Sequence, residues 1–127
     1  MTHPGEQIEL VEAWRDILDR HARVICALER RLDEHGLGVS EFEVLERLAT
    51  SDKGDRRMQE LAEAVHLSQS ALSRVVGRLE ADGLVTRAMC QQDRRGIFAC
   101  VTDEGRARYE AARPAHREVL AETLGAA

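Results

Sequence analysis

Between Met58 and Asp103 the apolar residues change their period, and that change leaves very few folds open to the chain. From Met58 to Val65, Leu61, Ala62 and Val65 share one helical face. From Gln69 to about Asp82, Leu72, Val75, Val76 and Leu79 recur at i, i+3, i+4 and i+7. His66, Leu67 and Ser68 join the two runs, the length of link that a helix-turn-helix uses, with Leu67 expected to seal the corner. Ser68 offers an N-cap oxygen, and Gly83 the left-handed residue on which helices stop. Beyond it, Leu84 to Cys90 and Ile97 to Thr102 read as two strands around the polar turn Gln91 to Gly96. Arg56 to Met58 can add a short third strand. The expected fold is therefore mainly α with a small β-hairpin wing, a winged helix-turn-helix.

The outer face of the second helix carries Ser70, Ser73, Arg74 and Gly77. Solvation alone explains such a small, polar, singly basic face poorly, whereas the major groove of B-DNA admits a helix and offers base edges to short polar side chains. Arg94 and Arg95 sit at the hairpin tip, suited to a minor groove or its phosphates. An ordinary solvated turn is the competing reading. Arg78 is rotated to one side, toward a phosphate or a neighbouring acid. Gly77 costs about 1 kcal/mol relative to alanine inside a helix. Close approach of a sugar-phosphate chain and simple tolerance explain it equally well.

In order and spacing these residues resemble the MarR-type winged-helix transcription regulators. The matching positions are Leu61-Ala62, Leu67-Ser68, Ser70, Ser73-Arg74, Leu79-Glu80, Gly83-Leu84-Val85, Asp93, Arg95, Thr102 and Gly105, within a likeness running from about Glu6 to Pro114. The resemblance implies a homodimeric DNA-binding regulator, often a repressor released by a small molecule or an oxidant. It implies that Ser68, Gln69, Ser70, Ser73 and Arg74 face the major groove, and that Arg95 enters the minor groove braced by Asp93. It further implies a cleft for aromatic acids or phenols, for which Trp14, Arg15, His21, Phe42 and Leu45 are the candidate lining.

A net charge of −5 at first argues against a polyanionic partner, but its distribution removes the objection. Residues 1–67 hold nine Arg/Lys against fifteen Asp/Glu, whereas residues 68–100 hold five against three. A footprint this weakly basic predicts modest affinity and steep salt dependence. At 127 residues the chain is one domain's worth, with a single core. It has no apolar run approaching the roughly 18 residues of a membrane helix, and its start is polar and acidic, unlike a signal peptide. Three cysteines fit a reducing cytoplasm.

Elsewhere, one helix is expected from Glu6 to about Glu34, with Leu10, Trp14, Ile17, Leu18, His21, Val24, Ile25, Leu28 and Leu32 as its apolar stripe. At about 1.5 Å per residue it reaches roughly 40 Å, more than a small core covers, so the surplus stripe is assigned to a partner chain. A monomeric bundle is the alternative. Ser40 to Glu43 reads as a capping box opening a second helix through about Ala49. Thr102 opens a last helix, with a kink or break near Ala111 to Arg113 ahead of Pro114 and a short helix from His116 to Leu124. Only thirteen residues follow Pro114, fewer than the resemblance implies, through either a reduced dimer contact or a sequence cut short. The expected organisation is one domain, 1–127, with dimerisation helices at 6–34 and 103–124 and a DNA-binding lobe at 40–102.

Cys26 reads as core or interface filling. Pairing Cys90 with Ile97 and Arg87 with Cys100 puts the two hairpin thiols on opposite faces, against a bridge between them. The five histidines show no ligand spacing, so no metal is expected. With no phosphate-binding glycine loop or nucleophile elbow, neither a cofactor nor an enzyme is expected. The reading is a sequence-specific regulator on a roughly palindromic double-stranded operator, a repressor relieved by an effector. Its rivals are a protein-interaction module, a small-molecule carrier or enzyme using the cleft, and a thiol-based redox regulator.

Overall fold

A computed structural model of the chain describes residues 3–89 and 96–125. The described elements are α1 (Pro4–Asp33), α2 (Val39–Ala49), β1 (Asp55–Arg57), α3 (Met58–Ala64), α4 (Gln69–Ala81), β2 (Val85–Met89), β3 (Ile97–Val101) and α5 (Asp103–Leu124). Mainly helical with a small antiparallel sheet, this is the expected winged-helix architecture.

Helix α1 begins two residues before Glu6. Proline suits a first turn, where its missing N–H would have no partner. The His3 N–H donates back to the Glu6 carboxylate at 3.4 Å. Helix α2 opens at Val39 with Gly38 in the capping position and no side-chain cap. Ser40 therefore lies inside the first turn, and the expected capping box does not form. Helix α4 matches its sequence signals closely. Ser68 Oγ accepts from the Ala71 N–H at 3.1 Å. At the other end the Leu84 N–H bonds the Leu79 carbonyl at 2.9 Å around Gly83, whose φ is +75°. The same closure ends α3, where the Leu67 N–H bonds Ala62 O at 3.0 Å, but the left-handed residue there is His66, with φ +58°.

The three strands lie in the order β1-β3-β2, all antiparallel. The third strand expected from Arg56 to Met58 is present one residue earlier. The hairpin register is one residue from expectation: Met89 pairs with Ile97, Thr86 with Cys100 and Arg87 with Ala99. The premise that set Cys90 and Cys100 on opposite faces thus falls, and Cys90 itself lies outside the described residues. Helix α5 is continuous for 22 residues with Pro114 inside it, so the expected break does not occur. Proline forfeits one backbone bond, but Ala112, Ala115, His116 and Val119 around it are buried and hold the helix in place.

One core runs through the fold. Leu28 and Leu32 of α1, Phe42, Leu45 and Leu48 of α2, Leu72, Val76 and Leu79 of α4, and Tyr109, Ala112 and Val119 of α5 all pack into it. The α5 side chains also tie its neighbours together. Arg106 donates to Ala49 O at 3.1 Å, Arg108 to His35 O at 3.1 Å, and Arg31 of α1 pairs with Glu118 at 2.7 Å. Tyr109 donates to Glu46 at 2.8 Å, Arg117 pairs with the same carboxylate, and His116 stacks on Phe42 with ring centroids 4.3 Å apart. The N-terminal half of α1 receives no such cover: Leu10, Trp14, Ile17 and Leu18 are exposed, Trp14 at 58%. Cys26 is also exposed, so it does not fill the core. Among the described residues no helix is long and apolar enough to cross a membrane.

Candidate nucleic-acid interface

The amphipathic pattern of α4 fixes which residues it can offer. Leu72, Val76 and Leu79 are fully buried and Val75 nearly so, which leaves the opposite face outward. Ser68, Gln69, Ser70, Arg74 and Arg78 are exposed, and Ser73 is half-buried. Ser68, Gln69 and Ser70 lie at the helix N-terminus, where the orphan N–H groups also point and favour anions, with Ser73 and Arg74 one turn on and Arg78 in the last turn. The Ser68 hydroxyl is occupied as the cap and lies 3.3 Å from that of Ser70.

The two flanks of this face differ. On one, Ala71, Arg74, Arg78 and Ala81 line an open groove of about 730 Å³ that reaches Ser40 and Leu67. Arg78 leans toward Glu41 at 3.9 Å but stays 65% exposed, a contact worth little. The other flank is covered. Arg87, from the wing strand β2, lays its guanidinium along Ser73, Gly77 and Glu80. It donates to Ser73 O at 2.7 Å and Ser73 Oγ at 3.3 Å, and its Nε pairs with Glu80 at 2.7 Å. Gly77 lies under this arginine without being required by it: a Cβ there would lie 3.5 Å from Arg87 Nη2, ordinary contact. Sequence reasoning missed Arg87. Its signal was a lone cation on the strand that follows the helix at a short turn.

Asp93, Arg94 and Arg95 lie outside the described residues. Among the described residues, Arg57 of β1 sets its guanidinium 5.6 Å from the Phe98 ring centroid, a cation that the sequence reading took only as part of a strand.

The residues proposed for an effector cleft do not come together. Phe42 and Leu45 are fully buried in the core, while Trp14 and Arg15 lie on the uncovered half of α1. His21 alone of these borders a groove between α1, the start of α2 and Arg78 of α4. That groove, about 300 Å³, is lined by His21, Ile25, Val39, Glu41 and Arg78 among others. Burial, and secondarily the charge of Asp55, pushes the Cys100 thiol above its ordinary range, which disfavours the reactive thiolate. Among the described residues no three His, Cys, Asp or Glu side chains converge as a metal site requires.

Comparison with known proteins agrees with this geometry. Residues 35–96 match the model of the MarR family. The HTH-type transcriptional regulator MhqR of Bacillus subtilis is 34% identical over 98 residues, 77% of this chain and 61% of that protein. The curated relatives that the chain matches are spanned over only 53–64% of their own length. Two solved MarR family regulators from Streptomyces coelicolor superpose over 98% of this chain. AbsC does so with a TM-score of 0.85 at 32% identity over 81% of its length. Sco3205, solved in complex with DNA, does so with a TM-score of 0.86 at 31% identity over 77% of its length. With the helix-turn-helix, the wing strands and this likeness across nearly the whole fold, the chain belongs to the MarR family of transcriptional regulators.

Proposed function

We propose that the protein is a sequence-specific DNA-binding transcriptional regulator that works as a homodimer, each protomer inserting α4 into a major groove. The observation that carries the reading is the division of α4, with one face wholly buried and Gln69, Ser70 and Arg74 exposed beside its capped N-terminus. Residues 40–102 form the DNA-binding lobe in this reading, and helices 6–34 and 103–124 the dimer lobe. The exposed apolar stripe of α1 supports the latter, since a contiguous run of large apolar side chains marks an association surface. Half-sites then lie about one helical turn, roughly 34 Å, apart on a roughly palindromic operator. The kinship with Sco3205, solved with DNA, supports the same partner.

The finer reading is a repressor relieved by a small, aromatic effector. What supports it is the groove of about 300 Å³ beneath His21, which meets α1, α2 and Arg78 of α4 and so touches both lobes. The test is selection of bound fragments from genomic DNA, followed by binding measurements at several salt concentrations. Arg95→Ala weakens binding across all sequences, whereas Gln69→Ala changes which operator is preferred. Failure of the unmodified protein to bind any duplex at low salt removes the reading in favour of a protein-interaction module.

A further inference from the structure

We infer that Arg87 is a positioning residue for sequence discrimination, locking the wing strand to the DNA-reading helix and acting on the bases only through Ser73. The inference rests on the DNA-binding reading above. Three groups of α4, spread over two helical turns, converge on this one guanidinium: the Ser73 carbonyl, the Ser73 hydroxyl and the Glu80 carboxylate. An arginine fork is planar and rigid, so three partners fix the angle as well as the distance between the two elements. Gly77 sits beneath the guanidinium, where an added Cβ would reach Arg87 Nη2 at an ordinary contact distance of 3.5 Å. The geometry also reassigns Ser73. Its hydroxyl faces Arg87 and its side chain is half-buried, unlike those of Gln69, Ser70 and Arg74. Glu80 neutralises the arginine, so Arg87 serves as a strut rather than as a cation for phosphate.

The test uses the full chain with duplexes that match or mismatch the selected operator, titrated between low and moderate salt. For Arg87→Met the preference for operator over mismatched duplex falls about tenfold, the scale of one misread base pair. The slope of log affinity against log salt stays at the wild-type value. Glu80→Gln shifts preference the same way by less, and Arg87→Lys does not restore it, because a point cation cannot satisfy three partners. Ser73→Ala changes preference in the wild type but adds nothing in the Arg87→Met background. Far-UV circular dichroism of every variant separates misfolding from misreading. A slope reduced by about 0.9 means that Arg87 binds a phosphate directly, and overturns the inference. So does an unchanged preference in a folded Arg87→Met, or additive effects of the two substitutions. Absence of duplex binding by the unmodified protein instead defeats the underlying DNA-binding reading.

Discussion

The same substitution, glycine to alanine, is expected to stabilise this fold at one helical position and damage it at another. Inside a helix the exchange is intrinsically favourable by about 1 kcal/mol. At Gly77 nothing opposes that gain, because the new methyl meets only the end of the Arg87 side chain at ordinary contact distance, 3.5 Å. At Gly105, in the first turn of α5, a Cβ would fall well inside contact distance of the Leu84 carbonyl oxygen and 2.8 Å from Val101 Cγ2. The backbone neighbour cannot yield. Leu84 O accepts from the Thr102 N–H at 3.0 Å, Leu84 N–H is bound to Leu79 O, and the Thr102 hydroxyl donates to Gly83 O at 2.7 Å while capping α5. The start of α5 must therefore back away from the α4–β2 turn. Overpacking against fixed backbone costs about 2–4 kcal/mol net of the propensity gain. Urea and thermal unfolding followed by circular dichroism, at one protein concentration because association shifts the midpoint, should give a Tm lowered by roughly 8–15 °C for Gly105→Ala. Gly77→Ala should raise it by roughly 2–4 °C. Gly5→Ala, with nothing within 4 Å of the added atom, is the control for general propensity. Equal shifts for the two test variants, or a Gly105→Ala protein as stable as wild type, would refute the account of this junction.

Three further outcomes follow from local geometry. His66 holds a left-handed conformation without being glycine, so His66→Gly should stabilise by about 0.5–1 kcal/mol and His66→Val destabilise, both read as changes in urea midpoint. Ser68→Ala removes the cap of α4 and should cost about 1 kcal/mol, with hydrogen exchange faster at Ala71 than at Leu79; uniform acceleration would mean that the cap is not local. Burial pushes the Glu46 carboxyl upward, but hydrogen bonds from Arg117 and Tyr109 outweigh it and hold the group below its ordinary range. Such a carboxylate contributes stability above the unfolded value, about 4.3, and loses it as pH falls through the folded one. The stability advantage of wild type over Glu46→Gln should accordingly be level above about pH 5 and shrink on acidification.

The parts of the fold that local chemistry decides were legible in the residues. Helix α4 needed only Ser68, Gly83 and four apolar positions. What escaped was set by partners distant in sequence. The one-residue slip in the hairpin follows from Ala99, which must face the core opposite Arg87 rather than Ala88, a choice that alternation within one strand does not make. Pro114 signalled a break, yet Ala112, Ala115 and Val119 pack on both sides of it, and burial overrides a single missing hydrogen bond. Phe42 and Leu45 were candidates for a cleft because aromatic and aliphatic residues line clefts and cores alike. Only the stacking of His116 and the contact with Tyr109 show that Phe42 belongs to the core. Arg87 illustrates the same limit, since its three partners lie 7 to 14 positions away and on another element.

These contacts also constrain how regulation can act under the proposed function. Helix α2 stands between the two lobes. It is fastened to α5 by Glu46 with Tyr109 and Arg117, and to α4 by core packing around Leu45, Leu48, Leu72 and Leu79. The Glu41–Arg78 contact adds almost nothing to that packing. A close-packed interior resists continuous deformation, so an effector is poorly placed to slide α4 within its own lobe. The compliant part is the uncovered half of α1, whose apolar stripe is free to meet a second chain at more than one angle. An effector beside His21 would act by favouring one such angle, and with it one separation of the two α4 helices. The shift it achieves is limited to its difference in affinity between the two arrangements.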